Sequence, residues 1–242
     1  MNRALYAAAS GMAAEQANLE TIADNLANAD VAGFKGAVQT FAPLGDENGA
    51  VLGTVALGSY PVFTQGKLVR SGGPFDLAID GTGFFAVMDQ RGRVAYTREG
   101  QFSRSAEGML TNAAGWHLAG VRIPSDAVSV DVASDGAVIA RTAAGKRICG
   151  HIRLAEFAAP ERLAAAGGTL YFATHASGKP HYVTAGNAGG PSLRFGALEQ
   201  SNVSIVEAMM QILAAQRAYE ANAKGVQAAD EMMRIADNLS RE

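Results

Sequence analysis

Cys149, four histidines and a scatter of carboxylates are the residues from which any catalysis or metal binding in this chain would be built. Cys149 and His151 stand two apart, so on a strand both would face one side, and a thiolate beside an imidazole is a zinc-type donor pair. No second pair with ligand spacing accompanies them. The plainer expectation is a strand with a buried thiol and a surface imidazole. His175 and His181 flank Gly178 and Pro180, which reads as a loop. Asp80-Gly81-Thr82-Gly83 has the glycines of a phosphate-cradling loop but lacks the Lys-Ser/Thr ending and a following helix. Phe84-Phe85-Ala86-Val87 is a strand pattern instead, so a hairpin turn is expected there. Ser10 lies within an apolar helix and not at a strand-to-helix elbow. Asp76, Asp131 and Asp135 sit beside turns, where Asp serves the backbone. No nucleophile, acid–base pair or ligand set emerges. The expectation is a chain with no catalytic residue, cofactor or metal.

Regular spacing lies at the two ends. Leu5, Met12, Leu19 and Leu26 recur every seven residues, with Ala8 and Ile22 at intermediate steps. Ile205, Ile212, Tyr219, Val226 and Met233 do the same near the end, with Met209 on the stripe. Ala208, Ala215, Ala229 and Ala236 each follow three residues after a bulky member. A seven-residue apolar repeat keeps one seam on one side of a helix, the condition for coiled-coil packing. Residues 3–28 read as a helix of roughly 39 Å, stopped by Asn25, Asn28, Asp30 and Gly33. The second helix opens on Ser204-Ile205-Val206-Glu207, a capping-box spacing, and runs about 35 residues to near Leu239. Gly225 inside it is either tolerated strain or the mark of a close neighbour. Each stripe alone would expose side chains worth about 1.5–3 kcal/mol apiece when buried. Polar Glu15, Gln216 and Asn222 interrupt the seams and favour specific register over maximal stability. The ends are expected to meet each other or another subunit.

Between them the period falls to two. Turn signals at Asp80-Gly81, Arg91-Gly92, Glu107-Gly108, Asp135-Gly136 and Ala144-Gly145 separate short β-type runs, which argues antiparallel hairpins. A short helix is expected within 160–168 and a loop from Gly186 to Pro191. The fold class is α+β, with a discontinuous α-helical domain from the paired ends and an all-β middle domain. Its divisions are 1–40 (N-terminal helix), 41–65 (extended connector carrying one or two strands), 66–190 (β-rich middle) and 191–242 (return connector and long helix). A fragment of about 36–200 is expected to fold alone.

Composition narrows the partners. The formal net charge of −3 and the scattered basic residues give no broad reason to bind nucleic acid or an anionic membrane. One cysteine excludes an intrachain disulfide. No run of about 18 apolar residues exists to span a membrane. Met1 to Glu15 lacks an apolar core followed by a cleavage site, so a cleaved signal peptide is not expected.

At the same termini the chain resembles the bacterial flagellar hook–basal-body rod family. Leu5-Tyr6-Ala7-Ala8-Ala9-Ser10-Gly11-Met12, then Asp24-Asn25-Leu26-Ala27-Asn28-Ala29 through Gly33-Phe34-Lys35, are similar to its N-terminal signature, with Asp24 in place of an Asn. Ser201-Asn202-Val203-Ser204, then Gln216-Arg217-Ala218-Tyr219-Glu220-Ala221-Asn222 and Asp230-Glu231-Met232, are similar to the C-terminal one. Gly66-Lys67-Leu68, Asp76 to Phe85 and Tyr96-Thr97-Arg98-Glu99-Gly100 fit the middle. The resemblance implies a distal rod subunit or the closely related proximal one, polymerising helically into a hollow, torque-transmitting shaft. The paired termini would line the tube and the β-domain would face outward. It also implies export through the flagellar type III apparatus, a periplasmic place in the basal body, and partners among itself, other rod and hook axial proteins and the surrounding rings. The residues expected to form the assembly interface are Leu5, Met12, Leu19, Ile22, Asn25, Leu26, Asn28 and Phe34, with Ile205, Met209, Ile212, Gln216, Tyr219, Asn222, Val226 and Met233. A hook-type or other axial subunit, a helical adaptor and a secreted β-domain enzyme with helical arms are the alternatives.

Overall fold

The computed structural model describes residues 3–45, 51–186 and 189–239, which form two compact units. The first comprises residues up to 29, 36–62 and those from 203 onward. It holds two long helices, α1 (Arg3–Ala27) and α2 (Ile205–Leu239), and two strands, β1 (Ala37–Gly45) and β2 (Val51–Pro61). β1 and β2 pair antiparallel as a ribbon, with register shifts after Thr40 and Leu44. The stretch expected as a connector with one or two strands thus forms a ribbon over Ala37–Gly45 and Val51–Pro61, clasped at its base by the Val62 amide donating to the Gly36 carbonyl. Ser204 caps α2, its hydroxyl accepting from the Glu207 amide at 3.4 Å. Neither helix is long and apolar enough to cross a membrane.

Residues 30–35 and 63–202 form the second unit. In chain order its strands begin with β3 (Leu68–Arg70), β4 (Leu77–Asp80), β5 (Phe84–Met88), β6 (Val94–Thr97), β7 (Ser103–Arg104), β8 (Leu110–Thr111) and β9 (His117–Leu118). There follow β10 (Ser129–Val132), β11 (Ala137–Thr142), β12 (Gly145–His151), β13 (Arg153–Glu156), β14 (Ala164–Ala165) and β15 (Leu170–Phe172). The last are β16 (His181–Thr184), β17 (Ser192–Phe195) and β18 (Ala197–Glu199). The main sheet runs β14-β15-β6-β5-β9-β8-β7, with β13 joining β5 to β16. β10-β11-β12 form a separate meander, while β17 pairs β4 and β18 pairs β3.

β5 explains why the middle packs so tightly. Its alternation sends Phe85 and Val87 into one core with Leu77, Ile79, Leu110, Leu118 and Leu154. Phe84 and Ala86 go into a second core with Tyr96, Leu163 and Tyr171. Phe63 closes that second core edge-on to Phe84 at 4.9 Å and to Tyr171 at 5.1 Å between ring centroids.

Several expectations are corrected. Asp80-Gly81-Thr82-Gly83 is no hairpin, because β4 pairs with β17 while β5 pairs with β6, β9 and β13. The turn moves the chain from one sheet to another, with Gly81 and Gly83 at φ +114° and +102°. Residues 160–168 hold only the 3-10 turn Pro160–Arg162 and then β14, since Gly167 and Gly168 at positive φ break any helix. Cys149 and His151 do not share a plain strand face. A register shift in the β11–β12 ladder opposes Val138 to Gly150 and Ile139 to Ile148, leaving Cys149 in the bulge. Cys149 is half-buried against the first core and His151 is exposed. Asn187 and Ala188, within the expected Gly186–Pro191 loop, lie outside the described residues.

Candidate assembly interface

The seam between α1 and α2 is built from small residues. Ala208, Ala215 and Ala229 are buried at every seventh place, and the missing place in that row is Asn222. Asn222 lies against Gly11, where an added Cβ would come within 2.8 Å of the Asn222 Nδ2. Three residues further along, Ala8 faces Gly225, where an added Cβ would meet the Ala8 methyl at 3.5 Å. Numbers rising along α1 thus meet numbers falling along α2, and the helices are antiparallel. Ala14 and Ile22 are the buried members of α1. An open cleft of about 370 Å³ remains where Glu15, Asn18 and Ile22 of α1 meet Gln39 of β1 and Gln211 and Ala215 of α2.

This displaces the bulky stripe from the centre of the contact. Leu5, Met12, Leu19, Leu26, Ile212 and Val226 are half-buried flanks. Ile205, Met209, Gln216, Tyr219 and Met233 are exposed in the free chain. The physical reason is reach: methyl groups and a glycine let two helix backbones approach, and long side chains are then pushed to the sides. The signal was present in the alanines three residues after each bulky member. The side chain of Ala236, the last of them, lies outside the described residues.

Polar residues of the N-terminal signature hold the ribbon to α1. The Asn25 side chain pairs with both main-chain groups of one residue, its Oδ1 accepting from the Ala37 amide at 2.8 Å and its Nδ2 donating to the Ala37 carbonyl at 2.7 Å. The Thr21 hydroxyl donates to Gln39 Oε1 at 3.2 Å. Ser10, not an elbow nucleophile, donates to the Ala7 carbonyl and accepts from the Thr54 amide. Asn28 serves the helix end, its Nδ2 donating to the Asp24 carbonyl at 2.8 Å.

Phe34, the remaining member of the expected interface, is half-buried in the second unit beside a buried ionic knot. Glu199 there accepts from Lys35 Nζ at 2.6 Å, from the Gly66 amide at 2.9 Å and from Arg98 Nη1 at 3.3 Å. Lys35 also donates to the Thr64 carbonyl, and Arg98 to the Gly81 carbonyl while lying over the Phe84 ring. All three side chains are withdrawn from water. Burial holds the Lys35 ammonium and the Arg98 guanidinium below their usual ranges, with Glu199 opposing the shift in both. Gly33 completes the knot, at φ +70° with its amide donating to the Glu199 carbonyl at 2.7 Å. A Cβ there would strike the Arg98–Glu99 peptide. Three separated stretches, at Lys35, Gly66 and Arg98, therefore converge on the Glu199 carboxylate, with Gly33 bonding its main chain and Gly81 bonding Arg98. Glu199 was not singled out in the sequence, because nothing local marks a lone Glu at the end of a short strand as a hub. Among the described residues no group of three or more His, Cys, Asp or Glu is placed to hold a metal ion.

Three family models match this architecture piece by piece. A flagella basal body rod protein model matches residues 5–35, which span α1 and the knot lysine. A flagellar hook protein FlgE/F/G D1 domain model matches 78–140, and a flagellar basal body rod FlgEFG protein C-terminal model matches 195–239. The class is that of flagellar hook and rod proteins. The chain is 35% identical to the flagellar basal-body rod protein FlgG of Borreliella burgdorferi over the full length of both. It is 34% identical to the FlgG of Agrobacterium fabrum, with 96% of this chain and 97% of the relative covered. The basal-body rod protein FlgF of Caulobacter vibrioides is also 34% identical, with 98% and 97% covered. The chain belongs to the flagellar basal-body rod protein family.

Proposed function

We propose that this chain is a non-enzymatic subunit of the basal-body rod, polymerising helically through its terminal helices into a hollow shaft that transmits torque. One observation carries the reading: the first turns of α2 present exposed apolar side chains outside the alanine row. Ile205, Val206, Met209, Met210 and Leu213 are all exposed within these turns, and Met209 is 54% exposed. A contiguous apolar patch of this kind marks a surface that another chain covers. The small-residue seam with α1 leaves these side chains free for neighbours. Each subunit then contributes two contacts of different character, a tight intrachain pair and a bulky outer ridge. The partners are further copies and the other axial proteins of rod and hook, with the flagellar export apparatus delivering subunits and the rings surrounding the shaft. The place is the periplasmic basal body.

The assembly residues named above divide accordingly. Ile205, Met209, Gln216, Tyr219 and Met233 face neighbours, whereas Leu5, Met12, Leu19, Ile212 and Val226 steady the pair. The decisive variant is Met209→Asp, expressed in a strain lacking the native gene. Its carboxylate is harmless in the free chain but costs several kcal/mol once a neighbour covers it. The soluble chain should keep its melting temperature while rods fail to appear in isolated basal bodies and cells stop swimming. Ile212→Asp should impair both the helix pair and assembly. Normal rods from Met209→Asp would sink the reading.

A further inference from the structure

We propose that a basic cleft on the second unit, beside the open edge of β12, receives an extended acidic peptide segment of a partner protein. The cleft measures about 510 Å³ and brings together Arg104, Arg122 and Arg147 from three separate stretches of chain. Arg104 Nη2 donates to the Pro124 carbonyl at 2.9 Å, and Arg122 Nε donates to the Glu107 carbonyl at 3.2 Å. Both bonds end on neutral oxygens, so they aim the guanidinium groups without neutralising them. Among the described residues, none of the three arginines is in a salt bridge. Glu107, the carboxylate on this wall, is engaged mainly by its own backbone amide and by the Ser105 hydroxyl within its turn, the Arg122 charge acting on it more weakly. In a chain of net charge −3, this is a local excess of positive charge.

The cleft is a built shape. The Ile123 amide donates to the Gly108 carbonyl at 2.7 Å and the Arg122 amide to the Cys149 carbonyl at 3.3 Å, which ties its walls together. Gly108, at φ +82°, has no room for a side chain, because a Cβ would strike the Ile123 carbonyl. β12 is the outer strand of its meander. A bridge between Val121 and Gly150 closes one end of its outer edge. Residues 145–148 are left as an open edge among the described residues, and Ile148 there is 63% exposed. An exposed edge presents backbone donors and acceptors to any extended chain. Side chains of such a strand alternate, so carboxylates at every second position would meet the planar guanidinium forks. Ile148 and Pro124 would cover the apolar residues between them. Inorganic phosphate alone would use neither the edge nor these apolar walls.

The test uses the purified full chain and a fluorescein-labelled hexapeptide of alternating glutamate and valine, followed by anisotropy. Saturable binding is expected, weakening as salt is raised. Arg122→Gln combined with Arg147→Gln should weaken it at least about tenfold with the melting temperature unchanged, since both side chains are exposed. A backbone N-methylated form of the peptide and a lysine–valine peptide should not bind. The proposal is overturned if the hexapeptide does not bind, or if the paired substitution leaves its binding intact. It is equally overturned if the N-methylated peptide binds as well, or if millimolar phosphate displaces both peptides, which would make this a small-anion pocket. None of these outcomes bears on the rod reading, which is tested on α2.

Discussion

Glu199 shows how much one side chain can organise. Its carboxylate answers two buried cations and the Gly66 amide. Glu199→Gln keeps the shape and removes the charge, leaving Lys35 and Arg98 buried without an anion. The expected loss is about 3–5 kcal/mol in urea denaturation of the second unit, the range for breaking a buried pair from one side. A second residue-scale effect appears at high pH. Burial pushes the Tyr171 phenol from 10.0 up to about 12, so the folded state holds a proton that the unfolded state releases. This contribution is fully present below pH 10 and is lost as pH rises toward 12. Tyr96 shifts in the same direction, through burial first and then its bond with Tyr182. Tyr171→Phe should therefore flatten the alkaline fall of melting temperature between pH 10 and 12; an unchanged slope would place the titration elsewhere.

Two glycines in the helix pair look alike in the sequence and differ in the structure. Gly225 is exposed and has only ordinary contact distance to Ala8, so a methyl fits. Gly225→Ala should stabilise α2 by up to about 1 kcal/mol through helix propensity alone, read as a higher midpoint in far-ultraviolet circular dichroism. Gly11 faces the Asn222 amide too closely for the same change. Gly11→Ala should lower that midpoint despite the better propensity, and adding Asn222→Ala should recover most of the loss. Strict additivity in this cycle would mean that the two residues do not touch. At the scale of elements, the small-residue row rather than the bulky stripe decides which helix faces meet.

At the scale of the molecule, the chain enters its second unit twice, at residues 30–35 and again from 63 to 202. The short first visit brings Gly33 and Lys35, both buried members of the knot. A fragment beginning at residue 36 omits them, so the expected 36–200 boundary cuts through the knot. A fragment of 30–202 should melt cooperatively as a monomer. One of 36–202 should melt at a clearly lower temperature, with Glu199 and Arg98 left incompletely paired. Equal melting temperatures would show that the first visit adds nothing to the second unit.

Periodicity and turn chemistry are local, and they were legible. Heptad spacing marked α1 and α2, Ser204 marked the cap, and the glycine turns at Gly92, Gly108, Gly136 and Gly145 marked true hairpins between successive strands. Helix and hairpin formation depend on neighbours a few residues apart, so the amino-acid order alone specified an α+β chain with helical ends. Tertiary structure decided the rest. It turned Asp80–Gly83 from a hairpin into a passage between sheets, because strand partners can lie more than a hundred residues away, as Asp80 and Ser192 do. It put alanines and Asn222 in the seam, because closeness of backbones, not hydrophobicity alone, selects the contacting face. It gathered Lys35 and Arg98 around the Glu199 carboxylate, an ionic cluster that no window of sequence contains, since each residue acquires its partner only when the chain closes on itself.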